Sequence, residues 1–398
     1  MPPSPAVSAD VGRHNLALIM RSLADHEPCA RSDIRARTGL VSGTVTTMIE
    51  ELMARGLAYE AGDVKGGKGR PRRLLRTAPD RIRTVAVQFS SGDVVGEVRD
   101  FTGRILWTAT GEHAVPLGDV DGYVGVVGRM LDDALEAAED RPDVHVPAPV
   151  VVVPGLVRSD ATITASLELG LGHADLRTPL RARLRGPRDL SLINTGRLGA
   201  LSEYAAHPDG TRPTAMAYLN GASGVGGSIL VDGDVYSGAH GLAGECGHIT
   251  VDMNGPACGC GARGCLEQYL GLTAILTRAG LATEDAEHSL TELTDRLEHA
   301  DTRAEEALDV AGRALAGAIA TMASYTDLDL VVLGGALPRL FPWLEPHIDA
   351  VITARARVTP EFNPKVALAR YGKEAPRRGA WLHSRNRILD DPSQVPYL

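Results

Sequence analysis

Residues 244–269, GECGHITVDMNGPACGCGARGCLEQY, set His248, Cys258, Cys260 and Cys265 in the spacing H-x9-C-x-C-x4-C. Four of the five cysteines in the chain lie in this segment, and glycines at 255, 259, 261 and 264 let a short loop fold back on itself. Three thiolates and one imidazole fill a tetrahedral shell around Zn2+ and leave no open position, which predicts a structural rather than a hydrolytic zinc. A cluster of merely packed or paired cysteines is the weaker reading, because Cys-x-Cys is an awkward disulfide and so many glycines make a poor core. Cys246 is the spare sulfur, expected to pack as a small apolar side chain.

The motifs GECGH and CGCGARGCLEQY resemble the signature of the ROK family, the sugar kinases and sugar-responsive repressors named for repressor, open reading frame and kinase. The resemblance covers nearly the whole chain. It implies an actin-like ATPase fold, two α/β lobes around a central cleft, and leaves open whether this chain phosphorylates a sugar or binds DNA.

Composition narrows the class without settling that question. With 398 residues the chain has room for two or three domains, and 44% hydrophobic with 23% charged residues is ordinary for a globular protein. No apolar run reaches the roughly 18 residues of a membrane span and no signal-peptide core stands at the start, so a cytoplasmic protein without a membrane partner is expected. Charge is more informative. Residues 1–83 hold 14 Lys+Arg against 9 Asp+Glu, whereas the whole chain carries −9, so a basic head precedes an acidic body. Such a head suits a polyanion.

The head has a legible plan. Residues 1–13, with prolines at 2, 3 and 5, read as a disordered lead-in, and a DNA-binding domain is expected over 14–78. Leu16, Ile19, Met20 and Leu23 recur at helical spacing, Ser32 is placed to cap a short helix over 33–37, and Val45, Met48, Ile49 and Leu52 share one face of a helix over 42–55. Two short strands, 57–59 and 73–76, flank the basic loop GDVKGGKGRPR. Helix, short helix, glycine turn and helix followed by a two-stranded wing resembles the winged helix-turn-helix of ROK repressors. Ser42, Thr44, Thr46 and Thr47 are the outward positions expected to reach base edges. Arg35 and Arg37, with Lys65, Lys68, Arg70, Arg72 and Arg73 of the wing, are the expected phosphate and minor-groove contacts.

From residue 84 to 398 the expected fold class is α/β, an effector domain of two lobes with a zinc loop over 245–267. A strand meander opens it, a helix follows over 119–139, then strands at 150–153 and 191–193 and a helix over 196–205. A second set begins at 215–219 and ends on a long helix over 305–325 and a strand at 330–333.

The family resemblance also says which kinase parts are missing. The proton-accepting aspartate of an Asn-Asp pair falls on Thr195, beside a retained Asn194, and a threonine hydroxyl is no general base at neutral pH. The first phosphate turn falls on Gln88-Phe-Ser-Ser-Gly92, which lacks the acidic residue and one glycine. The glycine turns at 221–227 and 334–335 remain, and fold maintenance alone accounts for them. By resemblance, Asn194, Glu245, His248 and Glu267 match sugar-binding positions, with His248 using one ring nitrogen for zinc and the other for the effector.

The reading is therefore a transcriptional regulator, a repressor without catalytic residues, that binds an operator in double-stranded DNA and senses a sugar or sugar derivative. A homo-oligomer, a dimer or dimer of dimers, is expected because helix-turn-helix proteins read paired half-sites. The alternatives are an active ROK sugar kinase with an accessory N-terminal module, and an interaction protein that binds neither DNA nor ligand.

Overall fold

The computed structural model describes residues 8–64, 72–184, 188–208 and 210–398. The first unit runs α1 (Ser8–His26), β1 (Cys29–Ala30), α2 (Arg31–Thr38), α3 (Ser42–Ala54), β2 (Ala58–Val64) and β3 (Arg72–Thr77). Its strands form a small antiparallel sheet in the order β1-β3-β2. Leu16, Ile19, Met20 and Leu23 of α1 bury against Ile34 of α2, Val45, Ile49 and Leu52 of α3, and Leu75 of β3, so the helical spacing reflects one shared core.

Two details differ from the sequence expectation. Helix α1 begins at Ser8, inside the expected lead-in of residues 1–13, whose residues 1–7 lie outside the described residues. Val11, Arg13 and His14 are exposed, so no apolar stripe announces this stretch, and an Asp10–Arg13 ion pair with an acid in the first turn suits a helix start. Ser32 does not cap α2 but lies inside it. Ala30 takes the cap position, and its N–H donates to Asp33 Oδ2 at 3.0 Å.

The first lobe comprises β4 (Arg83–Phe89), β5 (Asp93–Asp100), β6 (Ile105–Glu112), α4 (Val120–Ala138), β7 (Val150–Val153), β8 (Leu156–Val157), β9 (Ile163–Ser166), β10 (Leu171–Ala174), α5 (Arg177–Arg183), β11 (Ser191–Asn194) and α6 (Thr195–Tyr204). Its main sheet has the order β11-β7-β4-β5-β6: the meander is antiparallel, while β7 and β11 run parallel to β4. The second lobe comprises β12 (Ala215–Gly221), β13 (Val225–Val231), β14 (Asp234–Val235), α7 (Glu267–Leu270), α8 (Leu272–Ala279), α9 (Ala286–Glu298), α10 (Thr302–Thr326), β15 (Leu330–Gly335), α11 (Leu337–Ala356) and β16 (Lys365–Leu368). Its sheet order, β14-β13-β12-β15-β16, again joins an antiparallel meander to parallel strands. Two lobes of one plan are thus present.

A last helix, α12 (Ala375–Asp390), lies with α6 between the sheets. Leu198 of α6 packs with Ala86, Val150, Val152 and Ala380, while Ala200 packs with Met216 and Tyr218. The start of α6, where β11 ends, therefore lies between the two lobes. Among the described residues, no helix is long and apolar enough to cross a membrane.

Candidate metal centre, effector cleft and helix-turn-helix face

The loop between the Cys246–His248 turn and α7 is closed by its own backbone. Val251 N–H donates to Gly264 O at 2.8 Å, Cys258 N–H to Ala262 O at 2.9 Å and Leu266 N–H to Ile249 O at 2.8 Å. Gly264 has φ +63°, and a Cβ there would sit 1.6 Å from Asp252 O, so only glycine allows the return. The closure puts ligand atoms of His248, Cys258, Cys260 and Cys265 within 4.8 Å of one another. Cys258 Sγ lies 3.6 Å from His248 Nδ1, and Cys260 Sγ 3.6 Å from Cys265 Sγ. Bonds of about 2.3 Å in a tetrahedron separate sulfurs by about 3.8 Å, so spacing and donor set both fit zinc. Cys246 stands apart from this group, buried, with its thiol pushed up to about 12 by burial.

The loop bonds directly to one of the expected effector residues. Glu267, at the start of α7, accepts from Cys258 Sγ at 2.8 Å, and the same oxygen lies 3.7 Å from His248 Nδ1. Glu245 precedes the Cys246–His248 turn, and burial lifts its carboxyl to about 7 against the opposing pull of Arg197. Asn194 ends β11 and caps α6: its Oδ1 accepts from Arg197 N–H at 3.1 Å, and its Nδ2 donates to Gly155 O at 2.6 Å. Much of its hydrogen-bonding capacity is thus used by the fold. Arg197 links the two halves, since its guanidinium also donates to Gly241 O. Sequence reading missed this arginine; its only signal is a cation in the first turn after Asn-Thr.

The turn after β4 is filled from within. Ser90 Oγ accepts from Gly92 N–H at 3.2 Å and Asp93 N–H at 3.1 Å. Glu168, from the loop between β9 and β10, takes a hydrogen bond from Ser91 N–H, so a side chain of a distant segment bonds this turn. Gln88 Oε1 accepts from Arg377 Nη1 of α12 at 3.2 Å. Neither Glu168 nor Arg377 was apparent from the sequence, because each reaches the turn from a distant element.

On the first unit, Ser42, Thr47, Arg35 and Arg37 are exposed, while Thr44 and Thr46 are half-buried. Thr46 Oγ1 donates to Ser42 O at 3.0 Å, so that hydroxyl hydrogen is already bonded. Arg72 donates to Ser32 Oγ at 2.7 Å and pairs with Asp33, and Arg73 pairs with Glu60 at 2.8 Å, so two wing cations carry intramolecular partners. Lys65, Lys68 and Arg70 lie outside the described residues.

Comparison with known proteins adds four findings to this geometry. A family model described as ROK family matches residues 121–386. The xylose repressor of Bacillus spizizenii (strain ATCC 23059 / NRRL B-14472 / W23) is 22% identical over 93% of this chain and 94% of its own length. The N-acetylmannosamine kinase of Escherichia coli O1:K1 / APEC is 32% identical, over only 66% of this chain but 87% of its own. Among solved structures, a ROK family transcriptional regulator, homologous to the E. coli MLC protein, superposes with a TM-score of 0.79 at 22% identity, covering 96% of this chain and 97% of that one. At that identity it shows the shared fold. The repressor's match spans nearly the whole of both chains, whereas the kinase's match spans two thirds of this one.

Proposed function

This chain belongs to the ROK family, and we propose that it is a transcriptional regulator, a repressor, whose kinase-like lobes sense a sugar or sugar derivative without phosphorylating it. The observation that carries the reading is the first unit: a three-helix core with α3 presenting Ser42 and Thr47 to solvent, joined to the two lobes. A sugar kinase has no use for such a unit.

In this reading residues 14–78 form the DNA-binding domain and 84–398 the effector domain, in a cytoplasmic protein. Ser42, Thr44, Thr46 and Thr47 face base edges. Arg35, Arg37, Lys65, Lys68, Arg70, Arg72 and Arg73 face phosphates and the minor groove. His248, Cys258, Cys260 and Cys265 hold a structural zinc, and with every position filled by protein the ion's contribution is to fix the loop. Asn194, Glu245, His248 and Glu267 address effector hydroxyls, carboxylates being suited because each accepts two hydroxyl hydrogens. A homodimer presents two copies of α3 to paired half-sites.

Selection from a random duplex library by the purified full chain tests this. Enrichment of one sequence with a dissociation constant on the order of 10 nM supports the regulator. A chain that enriches nothing over scrambled duplexes at low salt is not one.

A further inference from the structure

Beyond the cleft and the recognition helix, one set of contacts joins the two ends of the chain. Arg55 ends α3 and is only 9% exposed. Its Nε and Nη2 donate to Glu51 Oε1 at 2.9 and 2.7 Å, and its Nη1 donates to Ser393 O at 3.0 Å and also to Val395 O. The guanidinium carbon stands 4.1 Å from the centroid of the Tyr397 ring. Tyr397 in turn donates to Glu51 Oε1 at 2.6 Å, and Leu398 N–H donates to Ala54 O at 3.1 Å, satisfying one of the carbonyls that a helix end leaves without a partner. Arg81 clamps the same turn from its other side, donating to Arg55 O at 3.0 Å and to Pro396 O at 2.7 Å. Val395 is fully buried in the core that holds Ile49 and Leu52.

The other end of this connection reaches the cleft. Residues 391–398 follow directly on α12, whose Ile388 and Leu389 enter the first unit's core and whose Asp390 pairs with Arg21. Higher on α12, Gly379 lies so close to α6 that a Cβ would be 1.9 Å from Leu198 O, while Trp381 Nε1 donates to Asp100 O at 3.1 Å. One sixteen-residue helix therefore touches the effector lobes along its length and hands its last residues to α3.

We infer that residues 393–398 are the positioning element of the recognition helix. They fix α3 to the effector lobes through Arg55, Glu51 and Tyr397, so sequence-specific DNA binding depends on a segment nearly 340 residues from the helix it serves. A helix held in its reading orientation binds without first being ordered, and releasing it lowers specific affinity. Phosphate-driven affinity is untouched, because none of these residues is a phosphate contact. The inference rests on the regulator reading above.

The test uses the full chain carrying Tyr397→Ala, a deletion of Pro396–Leu398, or Tyr397→Phe. Each variant is titrated with the duplex that the unmodified chain selects and with a scrambled duplex of equal composition. Tyr397→Ala and the deletion are expected to lower affinity for the selected duplex roughly tenfold, leaving the scrambled duplex within about twofold, and Tyr397→Phe, which keeps the ring over Arg55, should recover most of the loss. Arg55→Lys keeps the charge but cannot fork between Glu51 and two carbonyls, so it provides the same comparison if the deletion does not fold. Unchanged selectivity in Tyr397→Ala and Arg55→Lys overturns the inference. Equal loss on both duplexes also overturns it, in favour of a general loss of fold. An unmodified chain that selects no duplex removes the regulator reading and this inference together.

Discussion

Arg377 of α12 donates to Gln88 of β4 at 3.2 Å, and the same guanidinium lies 3.5 Å from the buried carboxylate of Glu97. By family resemblance Gln88 stands where a kinase keeps an acidic residue, so this chain holds an amide bonded to a guanidinium there. By the same resemblance Thr195 stands in place of the proton acceptor, so in the proposed reading two separate requirements of phosphoryl transfer are unmet. The purified protein is expected to show no sugar-dependent ATP hydrolysis above background across hexoses, pentoses and amino sugars. Turnover with any of them in a coupled assay would reinstate the kinase.

The metal centre makes a separate prediction. One zinc per chain is expected by elemental analysis, and Cys260→Ser should lose most of it, since a tetrahedral site left with three protein ligands is open to water and to chelators. The same change should lower the melting temperature, because the loop that carries Glu267 loses its clamp. Unmodified protein purified with far less than one zinc per chain would refute the assignment.

These two predictions differ in how far the sequence alone supports them, and the reason is contact distance. The four ligands fall within eighteen residues, so spacing reveals the site. The core of α1 to α3 is legible for the same reason, since its apolar positions repeat at helical spacing inside each element. By contrast α11 was not read at all: it carries Pro342 and Pro346 inside a twenty-residue helix, where proline ordinarily signals a break. Arg377, Glu168 and Arg55 act through partners that are near only after folding. The pattern along the chain ends a helix at residue 55 and says nothing of Tyr397.

Glu245 predicts a pH dependence. Burial raises its folded carboxyl from 4.5 to about 7, above its unfolded value, so the folded state holds the proton more tightly. The cost of ionising it in place is absent below about pH 4.5, grows as pH rises, and is complete above about pH 7. Glu245→Gln removes that cost, so the variant should gain on the unmodified chain over this window by on the order of 2 to 3 kcal/mol. Denaturant titrations at several pH values measure the difference. A gap that is flat with pH would mean that Glu245 is ionised and well paired in the folded protein.

The helix-turn-helix face sorts its own residues by what they already bond. Arg35 is exposed on α2, whereas Arg72 must leave Asp33 and Ser32 before it can meet a phosphate. Arg35→Ala should therefore lower the logarithmic salt slope by about 0.9, the value for one released counterion, without altering sequence preference. Arg72→Ala should lower it by less and also loosen the start of α2, where Asp33 accepts from Ala30 N–H. Arg70 is expected to act through the minor groove, so Arg70→Ala should weaken sites with A·T-rich flanks more than sites with G·C-rich flanks. Within α3, Thr47 is exposed while the Thr46 hydroxyl donates to Ser42 O, so Thr47→Ala should relax base preference by roughly 1 to 3 kcal/mol at one position and Thr46→Ala by less. Titrations of the selected duplex and its single-base variants at several salt concentrations separate these effects. An Arg35→Ala protein with an unchanged slope, or a Thr46→Ala protein that loses more discrimination than Thr47→Ala, would show that α3 approaches DNA by another face.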